Sequence, residues 1–221
     1  MSIDPIAAAR LVDTCAAAIV LVGILIAGTR SIGRSIWLVG LQAMLLGVAG
    51  IGVGLATGSG NLVVGGLFTG IVKGAVVPVI LGRILRQSRV RVERHPLIGP
   101  RVSLLVAILI VFAATAAVDG AALRGSLGAP NALPAAVAEI LTGLLITTSR
   151  RKGLSIIVGL LVFENGLALT AFSLTYGMPL VIEFGVLFDL LIAIVAVWVY
   201  ARRMLTVLGT MDTDELRSLR G

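Results

Sequence analysis

Three ionisable residues, Lys73, Glu164 and Asp189, lie near the centres of long apolar runs. At the midplane of a bilayer such a side chain costs about 2.5 to 3.5 kcal/mol on insertion scales, so it is rarely there without a function or a partner. Burial disfavours the charged forms of acids and lysines alike, which brings both protonation states within reach. A buried base among buried acids is the chemistry that a proton or ion path through a membrane requires.

Further polar residues of the same runs extend this set. Counted at about 1.5 Å per residue from the predicted helix starts, the three residues lie about 15 Å deep, close to one plane. Glu139 and Glu183 lie nearer the outer face, roughly a third of the way in or less. Asn165 adjoins Glu164 and offers it a polar neighbour. We predict that these six residues line a proton or ion path.

A structural interpretation competes with this prediction. Polar side chains also bind membrane helices together, at about 0.6 kcal/mol on average in measured cases. Glu139 and Glu183, placed near the interface and partly hydrated, fit that interpretation as well as the functional one. Asp189 can equally be the structural counter-ion of Lys73. Both interpretations stay open at the level of the sequence.

Composition assigns the chain to membrane proteins. Of its 221 residues, 58% are hydrophobic and only 13% are charged, and the mean hydropathy is +1.09. Soluble domains carry about 25% charged residues. The net charge of +7 does not indicate nucleic-acid binding, because the basic residues form short clusters between apolar runs. Such clusters are typical of membrane topology.

The residue inventory contains no recognisable catalytic centre. Cys15 is the single cysteine, which excludes an intrachain disulfide and a cysteine metal cluster. His95 is the single histidine and lies in an arginine-rich loop, so no Ser/His/Asp set can form. The chain has no HExxH, CxxC or P-loop motif. We therefore predict no catalytic residue, cofactor or metal, and place any associated redox chemistry on another chain.

The apolar runs predict an all-α bundle of seven transmembrane helices. About 20 apolar residues are needed to cross the hydrocarbon core, and backbone groups in lipid must be satisfied within the segment. The predicted spans are 7–28, 35–57, 62–82, 103–120, 133–149, 154–174 and 179–200. Residues 1–221 form a single membrane domain that ends in a short cytoplasmic tail, 201–221.

The basic residues predict the orientation of this bundle. Fifteen of them fall in the loops after the first, third and fifth helices and after the seventh, among them Arg150 and Arg151. Only Arg10 and Arg124 fall on the other side, since Lys73 lies within the membrane. By the positive-inside rule the N-terminus is outside and the C-terminus is cytoplasmic.

The second and third helices carry packing signals. Gly50, Gly54 and Gly58 have the small-xxx-small spacing that lets membrane helices approach closely. Pro78, five residues after Lys73, predicts a kink in the third helix, because proline removes an internal hydrogen bond.

Several segments resemble one protein family. The run 159–166 (GLLVFENG), the run 176–189 (YGMPLVIEFGVLFD) and the third-helix segment 72–78 (VKGAVVP) resemble hydrogenase-4 component E. The resemblance implies a membrane subunit of group 4 nickel–iron hydrogenases or formate hydrogenlyase-like complexes in a prokaryotic inner membrane. It also implies antiporter-like and quinone-site subunits as partners.

The last three helices, 133–200, are also similar to the K-type subunit of respiratory complex I and to the C subunit of Mrp antiporters. In that comparison Arg150 and Arg151 occupy the basic cytoplasmic loop, and Glu164 occupies the membrane glutamate of the next helix. Glu183 or Asp189 takes the last acidic position. Residues 1–120 then form a separate N-terminal part of four helices.

These observations favour a non-catalytic membrane-arm subunit of a complex I-like respiratory hydrogenase or related oxidoreductase. Its buried charges would contribute to proton translocation or redox coupling. A cation/proton antiporter subunit of Mrp type and a purely structural membrane anchor are the alternatives. A neighbouring gene for a nickel–iron or quinone-reactive subunit would favour the first, and variants that assemble but lose ion coupling would exclude the last.

Overall fold

A computed structural model of the chain describes residues 4–87, 92, 96–121 and 129–175. Within these ranges there is no β-strand, and six helices are long and apolar enough to cross a membrane. The prediction of an all-helical, multi-pass membrane protein is confirmed. The predicted seventh helix, 179–200, lies outside the described residues together with Glu183, Asp189 and the tail.

Six helices, α1 to α6, follow one another along the described chain. The third is continuous but consists of three segments, an α-helix over Gly60–Phe68, a π-helix over Thr69–Val76 and an α-helix over Val77–Gln87. The others are α1 Pro5–Gly28, α2 Ile32–Thr57, α4 Pro100–Gly120, α5 Ala132–Ser149 and α6 Gly153–Thr175. The hydropathy pattern placed most ends within three residues, and α3 extends five residues past its predicted end.

Local sequence signals explain where several helices begin and end. The Asp4 carboxylate accepts a hydrogen bond from the Ile6 amide, and the Ser31 hydroxyl accepts one from the Arg34 amide. Such N-cap bonds satisfy amides that have no partner inside the helix. Gly58 follows α2 with a φ of 68°, a left-handed conformation that glycine adopts without strain. Gly58 therefore ends a helix rather than contributing to helix packing as its spacing predicted.

The other glycines of α2 bring its backbone against α3. A Cβ atom on Gly47 would lie 2.6 Å from the Gly66 carbonyl oxygen, and one on Gly40 would lie 2.8 Å from that of Gly74. Neither position accepts a side chain without moving a neighbouring backbone. A Cβ atom on Gly54, one of the predicted positions, would lie 2.7 Å from the Val63 amide nitrogen. The packing prediction therefore holds at Gly54, and the contact with Gly40 keeps Gly74, the residue next to Lys73, against α2.

The middle of α3 is π-helical at the place where Pro78 predicted a kink. Proline cannot donate a backbone hydrogen bond, and its ring interferes with the carbonyl four residues earlier. That carbonyl belongs to Gly74, within the π segment Thr69–Val76. π-Helical segments inside α-helices occur frequently at functional sites. Here the π segment carries Lys73.

Two apolar clusters fill the bundle, one above the other. The first contains Val22 of α1, Val39 of α2 and Val162 of α6. The second contains Ile19, Leu46 and Leu169 of the same helices. On each of these helices the chain passes from one cluster to the other within about seven residues. The described helices thus leave a thin layer between the clusters.

Backbone and loop contacts gather the basic loops at one end of the bundle. The buried Arg150 Nη2 donates to the Ala27 carbonyl in the last turn of α1, at 2.7 Å, where a cation also complements the helix dipole. The Leu97 amide, in the loop before α4, donates to the Ser149 carbonyl at 2.9 Å. At the opposite end Asp13 accepts from the Asn131 amide at 3.1 Å. The loops after α1, α3 and α5 therefore share one face.

Candidate functional site

The layer between the apolar clusters is polar. It contains Gln42 of α2, Lys73 of α3, Glu139 of α5, and Glu164 and Asn165 of α6. Each of these residues is at most 7% exposed. We call these five residues the polar layer. Four of them were predicted from the sequence as members of a proton or ion path.

Lys73 and Glu164 form a buried ion pair. The Lys73 ammonium nitrogen lies 2.5 Å from Glu164 Oε1. Measured over the side chains alone, rather than over whole residues, Lys73 is 4% and Glu164 is 9% exposed. Both helices pack against α2, so the pair joins α3 and α6 beside it. The sequence left the partner of Lys73 open between acids, and the structure places Glu164 there.

Gln42 and Glu139 form a second buried pair. Gln42 Nε2 donates to Glu139 Oε1 and also to the Ile19 carbonyl, which lies 2.9 Å away. The Glu139 carboxyl group occupies space over Gly23, where an added Cβ would lie 2.6 Å from Oε2. Glycine at position 23 therefore makes room for this carboxyl group.

The hydration predicted for Glu139 was wrong. The sequence placed it near the outer face and partly hydrated, whereas it is 1% exposed and lies in the polar layer. It lies seven residues from the start of α5, about 10 Å along the helix, which is close to the depth predicted from the sequence. Neighbouring helices exclude water from it at this depth.

Contacts between α5 and α6 place the two acidic residues within about one helical turn of each other. A Cβ atom on Gly166 would lie 2.7 Å from the Ile140 amide nitrogen, and one on Gly143 would meet the backbone of Phe163. Glu164 follows Phe163 and Glu139 precedes Ile140. The two acids therefore belong to facing turns of one tightly packed helix pair.

Several hydrogen-bonding atoms of the polar layer have no partner among the described residues. Within the described residues, Glu164 Oε2, Asn165 Nδ2 and Gln42 Oε1 are buried without a hydrogen-bond partner. Leaving such a group unpaired costs about 1 to 3 kcal/mol, so it usually has a reason. One lysine and two carboxyl groups carry a net charge of −1 when all three are ionised. One added proton makes the layer neutral.

The remaining predicted residues lie elsewhere. Arg150 is buried at the basic end, where it contacts α1, and Arg151 beside it is exposed. Glu183 and Asp189 lie outside the described residues. Among the residues that are described, no group of three His, Cys, Asp or Glu side chains could hold a metal ion.

Gln42 was missed by the sequence analysis. It is fully buried and holds both Glu139 and the α1 backbone. The signal was present, because Gln42 is a polar residue within the otherwise apolar second run. An amide carries no charge, however, and polar uncharged residues are frequent in membrane helices as packing contacts.

A bundle of apolar helices around a buried charged layer defines a multi-pass membrane protein. The chain is 31% identical over 211 residues to the uncharacterized protein Rv0085 of Mycobacterium tuberculosis, covering 95% of this chain and 96% of that protein. It is also 31% identical over 151 residues to hydrogenase-4 component E of Escherichia coli K12, covering 68% and 70%. The Shigella flexneri component E matches equally well.

No profile of a known protein family and no solved structure matches the chain. Both relatives are 31% identical to this chain, and the match to Rv0085 extends over nearly the whole chain. The chain belongs to the hydrogenase-4 component E family. The resemblance predicted from the sequence is confirmed.

Proposed function

We propose that this chain is a membrane subunit of a hydrogenase complex in a prokaryotic inner membrane and that its polar layer takes part in proton translocation. The name of its component E relatives supports the first part. The buried Lys73–Glu164 ion pair carries the second, because an ion pair at this depth is rare without a function. Formate hydrogenlyase-like complexes are the class of assembly we expect.

Proton transfer within the layer would use the two carboxyl groups and the lysine. A proton that reaches Glu164 neutralises its carboxylate and weakens its attraction to Lys73. Lys73 then carries an uncompensated charge in a medium of low dielectric constant, which favours transfer of its proton to a second, ionised carboxylate. Glu139 offers a second carboxyl group on the facing turn of α5. Gln42 holds that group in position through its hydrogen bond.

A structural anchor is the second candidate function. The observation that favours it is the position of the ion pair, which ties α3 to α6 beside α2. The Glu164→Gln variant, compared with Lys73→Gln/Glu164→Gln, distinguishes the two functions. Proton uptake should be lost if the layer conducts protons, and complex abundance should be lost if it only holds helices together.

Assembly with other membrane subunits is the first testable consequence. Helix α4 exposes large apolar side chains, including Leu109 and Phe112, the latter 70% exposed. Full-length tagged protein, extracted in mild detergent, should co-purify with antiporter-like and quinone-site subunits. Expressed alone, it should aggregate at lower temperature than the complex. A stable monomer that transports an ion by itself would contradict this prediction.

The orientation of the chain in the membrane is the second testable consequence. Leu97 lies exposed at the basic end and Ala121 lies exposed at the other end. We expect a membrane-impermeant maleimide to label Ala121→Cys, but not Leu97→Cys, in right-side-out vesicles, with Cys15→Ser as background. Both variants should react after the membrane is opened by detergent. Labelling of Leu97→Cys alone in sealed vesicles would reverse the proposed topology.

A further inference from the structure

A groove of about 580 Å³ runs along an exposed side of α2 and α3 at the basic end of the bundle. Its walls are apolar, with Ile36 and Trp37 from α2 and Val79 from α3. Gly82 forms part of its floor, and a Cβ atom added there would meet nothing within 4 Å. The groove is therefore open space beside two helices, wide enough for a hydrocarbon chain.

Two arginines stand at the end of this groove. Arg83 and Arg86 lie three residues apart on α3, which places them on one face of the helix. Among the residues that the structure describes, neither forms an ion pair, and no acid lines the groove. Two guanidinium groups side by side repel each other unless an anion lies between them. Arginine binds phosphate groups through two parallel hydrogen bonds.

Trp37 marks the depth of the groove in the membrane. It is 58% exposed and lies about 7 Å along α2 from the start of the helix. Tryptophan is enriched at this level, where the headgroups meet the acyl chains. The long arginine side chains reach from the same level towards the headgroup region.

We propose that this groove is a binding site for an anionic phospholipid. The phosphate lies between Arg83 and Arg86, and one acyl chain lies along Trp37, Val79 and the space over Gly82. Basic pockets between membrane helices bind anionic headgroups in this way, and near an anionic surface each arginine contributes to the attraction. The site is remote from the polar layer and independent of proton transfer.

The charge component is tested with Arg83→Gln/Arg86→Gln. Full-length protein with its co-purifying subunits is reconstituted in nanodiscs containing phosphatidylcholine and a trace of phosphatidylglycerol or cardiolipin. After extraction, retained lipid is counted by native mass spectrometry. We expect retained anionic lipid to fall roughly fivefold for each arginine removed. The control Arg10→Gln/Arg101→Gln removes two charges from exposed positions outside the groove and should retain lipid as the parent does.

The steric component is tested with Gly82→Leu, which keeps both arginines. Leucine favours helix more than glycine does, and its Cβ atom has no neighbour within 4 Å there, so folding should be preserved while the acyl chain is excluded. Gly120→Leu, at another open glycine, is the matched control. Equal retention by groove and control variants would overturn the proposal. So would loss of a protein subunit with lipid unchanged, which would make the groove a protein interface.

Discussion

Exchange of Glu164 for glutamine should abolish most proton uptake coupled to redox turnover while the subunit stays in its complex. Glutamine keeps the shape of the side chain and can still hydrogen bond to Lys73, but it cannot exchange a proton. Positioned proton-transfer groups contribute about 100-fold or more to rates, so we expect a loss of that order. The measurement is proton uptake by membrane vesicles, with complex abundance on native gels and turnover with artificial acceptors measured in parallel.

The glutamine variant also leaves Lys73 without its counter-ion, and this must be separated from the loss of proton transfer. Removing one partner of a buried pair destabilises a protein by about 3 to 5 kcal/mol when the other stays charged. Lys73→Gln/Glu164→Gln removes both charges and should restore any assembly lost in the single variant. Glu164→Asp keeps the titrating group with a shorter reach and should retain part of the uptake.

Three outcomes distinguish a proton-relay function of Glu164 from a structural anchor function. Full uptake in Glu164→Gln would contradict the relay function of this residue. Loss of assembly in Glu164→Gln, restored together with full uptake in the double variant, would show that the pair only holds α3 to α6. A double variant that assembles without uptake is the result that the proposed function predicts.

The sequence predicted the helices and most members of the polar layer because both signals are strong. A charge in an apolar run of 20 residues stands out, which identifies Lys73 and Glu164 without any structure. Hydropathy also fixes helix ends to within a few residues, since the hydrocarbon thickness sets the length of a span. Capping residues such as Asp4 and Ser31 explain why the true starts lie slightly earlier.

Pairing could not be predicted, because it depends on helix packing. Lys73 and Glu164 are 91 residues apart, and Gln42 and Glu139 are 97 apart. Counting residues along one helix gives the depth of each residue in the membrane. It does not identify the neighbours of that residue on other helices. The neighbours are set by close backbone approaches, such as that of Gly40 to Gly74, which depend on where small residues of two helices meet. The π-helical segment that carries Lys73 is also not revealed by hydropathy.

The second pair of the layer gives the last prediction. Gln42→Leu removes the amide group that donates hydrogen bonds to Glu139 and to the Ile19 carbonyl. The acceptors left without a partner should lower the free energy of unfolding by about 1 to 3 kcal/mol. Replacing both partners, in Gln42→Leu/Glu139→Leu, leaves apolar side chains of similar size. The double variant should therefore be less destabilised than the sum of the single variants. Thermal unfolding midpoints of the purified complex measure this coupling.

The same double variant tests whether Glu139 carries protons. It retains a folded complex but has no second carboxyl group, so we expect its proton uptake to fall towards that of Glu164→Gln. Thr142→Val, at a buried position one turn further along α5, is the control and should preserve uptake. If the double variant is stable and takes up protons at the parent rate, Glu139 serves only to bind helices together. Proton transfer within the described layer would then depend on Lys73 and Glu164, because no other described carboxyl group lies at that level.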